Sequence, residues 1–82
     1  MSHDSHSQTA TLIKMVNQIA ANLSAYEPAE AAKRIEQHLV RFWAPKMRQD
    51  LIAAAIDETD LSPLARDAIA ILKTEQSRKQ IA

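Results

Sequence analysis

The chain has 82 residues, balances ten Lys and Arg against ten Asp and Glu, and contains neither cysteine nor glycine. The missing cysteine excludes disulfides and thiolate metal sites, and the missing glycine excludes phosphate-cradling loops and dinucleotide fingerprints and removes the usual material of tight hairpins. Balanced charge argues against a chain that lives on nucleic acid, and the longest apolar run, Leu51 to Ile56, is far too short to cross a membrane.

What remains is one domain with a thin core, since folding at this size buries only about 60–65% of the unfolded surface. Such domains are commonly completed by disulfides, a metal or a partner, and only the partner is left open. Residues 1–8 are polar and are read as a disordered tail. They hold His3 and His6 but neither a basic stretch nor an apolar stretch of a secretory signal, so the expected compartment is the cytoplasm. The folded domain is expected over 9–76, followed by a frayed tail over 77–82.

The first helix is expected from Thr9 to Ala25, where Leu12, Val16, Ile19 and Leu23 recur at helical spacing and Ile13 and Ala20 widen the stripe. Ser24-x-x-Glu27 has the form of a capping box, but Pro28 pushes Glu27 out of the α region and is itself comfortable as the first helical residue. The second helix therefore starts at Pro28, with Ala31, Ala32, Ile35, Leu39 and Phe42 inward and Glu30–Arg34 as an exposed ion pair. Pro45 opens a third helix, expected to Asp57, whose stripe is Met47, Leu51, Ala54 and Ala55. The acidic run Asp57-Glu58-Thr59-Asp60 suits the approach to a helix N-terminus better than a cation site. In Leu61-Ser62-Pro63, Ser62 is the expected N-cap and Pro63 the first residue of a fourth helix, with Ala65, Ala68, Ile69 and Leu72 inward. A pair from Glu75 to Lys79 is expected near its end. The fold class is all-α, a small compact bundle of three to four short helices.

Catalysis needs a nucleophile, a base and an orienting group in one pocket. Here the folded part offers a single histidine, His38, serines and threonines at caps, and acids scattered over helix exteriors. His38 has Arg34 and Phe42 one turn away, not a second ligand, so no metal or cofactor site is expected. The chain is read as a non-enzyme.

The segment from Lys33 to Arg48 holds five basic residues and one acid, together with Phe42 and Trp43, two of the chain's three aromatics. Adjacent helical positions point about 100° apart, so the two rings divide between core and surface. Phe42 continues the inward stripe and is assigned to the core, which leaves Trp43 at the edge or outside. Trp43 is then either a partner-binding anchor among basic residues or a cover for the joint with the third helix. The partner-binding set is Trp43, Arg41, Arg48, His38 and Lys46. A helix-turn-helix reading of residues 30–56 fails on its second helix, too apolar to address base edges.

Three blocks resemble one family. They are Met15-Val16-Asn17-Gln18-Ile19-Ala20-Ala21-Asn22, Ile35-Glu36-Gln37-His38-Leu39-Val40-Arg41-Phe42-Trp43-Ala44-Pro45-Lys46-Met47-Arg48, and Leu61-Ser62-Pro63-Leu64-Ala65. In order and spacing, over residues 12 to about 72, they are similar to the delta subunits of NAD-dependent, molybdenum-containing formate dehydrogenases. The resemblance implies a complex that oxidises formate to carbon dioxide and reduces NAD, with molybdenum cofactor, iron–sulfur clusters and FMN in other subunits. It implies for this chain a non-catalytic accessory role, binding the large (alpha) subunit and supporting its assembly or stability. The alternative is a free-standing helical adaptor or regulator of another protein or nucleic acid.

Overall fold

The computed structural model describes residues 3–56 and 59–81, and side chains over 9–56 and 59–78. Four helices follow in order, α1 (His3–Asn22), α2 (Pro28–Phe42), α3 (Pro45–Ala55) and α4 (Pro63–Ile81), and no strand occurs among the described residues. Three of the four begin at a proline, the residue whose missing N–H costs nothing in a first turn. Both α2 and α3 lack a side-chain N-cap bond. There the proline holds the preceding residue, Glu27 or Ala44, in an extended conformation that ends the previous segment. At α4 the expected cap is present, Ser62 Oγ accepting from the Ala65 amide at 3.2 Å.

The boundaries differ from expectation mainly at the termini. The backbone over 3–8 is helical where a tail was expected, and α4 runs on to Ile81. Between Leu23 and Tyr26 the first helix unwinds through tight turns, with the Ser24 hydroxyl donating to the Ala21 carbonyl at 2.9 Å. Part of the acidic run, Asp57 and Glu58, lies outside the described residues. So does the Lys79 side chain; Glu75 instead meets Arg78 at 3.2 Å.

All six helix pairs touch, and α2 with α4 is the most extensive pairing. Its two faces are Ala32, Ile35 and Leu39 against Ala65, Ala68, Ile69 and Leu72, all buried. The alanines let the two backbones approach while the larger side chains fill the space between them. From α1, Leu12, Ile13, Val16 and Ala20 close the core, while Ile19 and Leu23 stay only half-buried. The buried seam of α1 is thus rotated toward its Ile13–Ala20 flank, because this helix packs on α3 and α4 as well as α2. Leu51 is the one fully buried residue of the short α3.

Candidate partner-binding face

Phe42 and Trp43 occupy the reverse of their expected places. Trp43 is buried at 6% exposure and belongs to the core cluster, whereas Phe42 is 68% exposed. The assignment of Phe42 to the core is therefore corrected, and with it the outward placing of Trp43. The reason is local geometry. The helix ends at Phe42, and Trp43 has φ −96° and ψ 141°, so the 100° step between helical neighbours does not apply to it. Its amide still closes the last turn by donating to the Leu39 carbonyl at 2.9 Å, while its indole drops inward over the joint. Pro45 carried the signal, since it restricts Ala44 to extended backbone and so requires the helix to stop short of it.

Arg48 is likewise drawn into the fold. Expected as a charge on the rim of an interface, it lies in the first turns of α3 and reaches back to the end of α2. Its guanidinium donates to the carbonyls of Trp43 at 2.6 Å, Val40 at 3.1 Å and Leu39 at 3.4 Å. They lie at the C-terminal end of α2, where intrahelical donors run out and the helix dipole favours a cation, and the Leu39 carbonyl is shared with the Trp43 amide. Lys46 is exposed and pairs with Asp50 at 3.1 Å along α3. Arg34 is occupied too, bonded to Glu30 at 2.8 Å and lying 4.2 Å over the Tyr26 ring. The basic segment of the sequence is therefore several separate contacts, not one continuous patch.

What the fold does assemble is a face between α1 and the end of α2. His38 stands half-buried with its ring 4.8 Å from that of Phe42, tilted by 45°. His38 also lines an open depression of about 380 Å³, together with Lys14, Met15, Gln18, Ile19 and Trp43. Met15 is itself 38% exposed. Arg41 is exposed next to Phe42 in the chain. Of the expected binding set, His38 and Trp43 thus meet at this face, Arg41 is exposed as the chain neighbour of Phe42, and Lys46 and Arg48 are engaged elsewhere. Phe42 and Ile19 were read as core, because an apolar residue at helical spacing is read so whether or not a helix covers it, and Met15, off that stripe, carried no signal of its own.

Asn17, a residue of the first sequence block, ties two distant segments together. Its carboxamide takes two bonds from the segment before α4: Nδ2 donates to the Asp60 carbonyl at 2.8 Å and Oδ1 accepts from the Ser62 amide at 2.9 Å. Among the described residues no three of His, Cys, Asp and Glu gather as a metal would require, and no helix is long and apolar enough to cross a membrane.

A family model described as "NADH-dependant formate dehydrogenase delta subunit FdsD" matches residues 11–69, which takes in all three sequence blocks and the whole of the face just described. No curated protein and no solved structure matches the chain.

Proposed function

With most of its length matched, the chain belongs to the formate dehydrogenase delta-subunit family, and from that premise we propose that it binds the large, molybdenum-bearing subunit of a cytoplasmic NAD-dependent formate dehydrogenase and supports its assembly or stability. The proposal gives this chain no part in electron transfer. It contains no thiolate for an iron–sulfur cluster, and its donors are spread over helix exteriors. The molybdenum cofactor, iron–sulfur clusters and FMN belong, on this reading, to the other subunits.

One observation supports the binding role above the rest. The largest exposure of a Phe, Tyr or Trp, at Phe42, is next to His38, which lines an open apolar depression that no described residue fills. In a domain whose core is already thin, leaving such a ring in water is explained by a surface that is covered on association.

The test is to produce the complex with and without this chain. Without it, molybdenum occupancy or the integrity of the complex is expected to fall, while turnover per molybdenum in loaded enzyme stays unchanged. Complex of normal metal content and thermal stability in the absence of the chain would defeat the proposal.

A further inference from the structure

We propose that the occupant of the α1–α2 face is an acidic amphipathic segment of the large subunit, with an apolar side chain seated in the depression and carboxylates meeting Lys14 and Arg41. This rests on the reading above that the chain binds that subunit, and adds the chemistry by which it does so.

Charge selects the occupant. The depression is lined by one cation, Lys14, and by no carboxylate. Arg41 is exposed beside Phe42. Three other cations of the fold, Arg34, Lys46 and Arg78, each have an acid three or four positions away on the same helix. Among the described residues Lys14 and Arg41 form no ion pair of that kind. The face therefore couples apolar surface to positive charge that no described acid pairs with, and a complementary partner supplies the opposite sign. Two further depressions among the described residues do not share this pairing. One, lined by Asn17, Ser62 and Leu64 among others, has no charged residue; the other holds about 130 Å³ and is lined by Glu36 and Glu75 as well as Arg48.

A second copy of the chain fits this face poorly. A two-fold contact sets the same patch against itself, and here it would bring Lys14 and Arg41 of both copies together without an acid between them. Single-stranded nucleic acid would find an aromatic and two cations, but a tract that binds phosphates needs more neutralising charge than this chain provides.

The experiment measures binding of the full chain to the large subunit purified without it. Lys14→Glu/Arg41→Glu is expected to raise Kd about tenfold or more at low ionic strength, the scale of two exposed ion pairs turned repulsive. The deficit shrinks as salt shortens the reach of exposed charges. Lys73→Glu, at an exposed position of α4, changes little. Thermal melts of the variants match the unsubstituted chain, since all three side chains are exposed. If the unsubstituted chain does not bind the large subunit, the proposed function falls and this inference with it. If it binds and the double reversal binds as well as the control, the inference alone is wrong. Dimerisation of the free chain lost in Phe42→Ser, or binding of a single-stranded oligonucleotide lost in Lys14→Glu/Arg41→Glu, would give the face to another occupant and also overturn it.

Discussion

The two joints that follow α2 and α3 are built alike and held differently. Each places a buried apolar residue two positions before a helix-opening proline, Trp43 before Pro45 and Leu61 before Pro63, both 6% exposed. At the first joint the polar tie is local: Arg48, five residues on from Trp43, returns to the carbonyls of Leu39, Val40 and Trp43. At the second the tie comes from Asn17 on α1, 45 positions away from Ser62. A joint fastened by its own next helix forms as soon as that hairpin does, whereas one fastened by a distant helix forms only with the whole bundle. The blocks that mark the family in the sequence contain these ties. Asn17 lies in the first block, Trp43, Pro45 and Arg48 in the second, and Ser62 and Pro63 in the third.

The strongest way to break this comparison is at Trp43. Trp43→Ala is expected to cost about 3–5 kcal/mol, as removal of a buried aromatic does. A domain of this length carries roughly 4–12 kcal/mol in all, so the variant should melt far lower or fail to fold. Circular dichroism melts decide it. A variant that melts within a few degrees of the unsubstituted chain would mean that the indole is dispensable to the core.

Next come the two polar ties. Arg48→Met keeps most of the stem and removes the charged donor, at an expected cost of about 1.5–3 kcal/mol. Arg48→Lys should recover only part of this, because one ammonium does not reproduce the planar fork that spans several carbonyls. Asn17→Ala removes two bonds and is expected to cost about 1–2 kcal/mol. Hydrogen exchange separates the two cases. Arg48→Met should loosen the chain around the α2–α3 joint, whereas Asn17→Ala should speed exchange at the Ser62 amide, far away in sequence. Equal, global loss of protection in both variants would erase the distinction between a local and a distant tie.

How legible these features were in the sequence follows from how far away their causes lie. The helix starts at Pro28, Pro45 and Pro63, the Ser62 cap and the α4 core face are set by residues within one turn, and each was expected where it occurs. The Glu30–Arg34 pair is equally local. Asn17 could not be read, because nothing near it in the chain specifies that a loop 45 positions on will supply its partners. The Phe42–Trp43 reversal has a readable cause in Pro45, which ends the helix at Phe42, so that helical spacing does not extend to Trp43. Phe42 also follows the core spacing, and what leaves it exposed is that no helix packs over it, a fact of assembly and not of period.

The smallest expected effect on stability is also the one that bears most on function. Phe42→Ala removes a ring that is 68% exposed and touches His38 at its edge, so its melt should stay close to that of the unsubstituted chain. Surface substitutions of this kind fall within about 0.5 kcal/mol. Binding to the large subunit should respond quite differently. If the ring is the aromatic anchor of the α1–α2 face, its truncation costs about 2 kcal/mol or more of affinity, close to thirtyfold in Kd. The adjacent pair then separates the two demands on the family's central block: Trp43 holds the joint, and Phe42, displaced from the core by the helix end, is left to meet a partner. Both variants need the same two measurements, a thermal melt and a titration against the large subunit. Phe42→Ala that melts like Trp43→Ala would return Phe42 to the core. Phe42→Ala that folds normally and binds undiminished would remove it from the interface, and the α1–α2 face would lose its anchor.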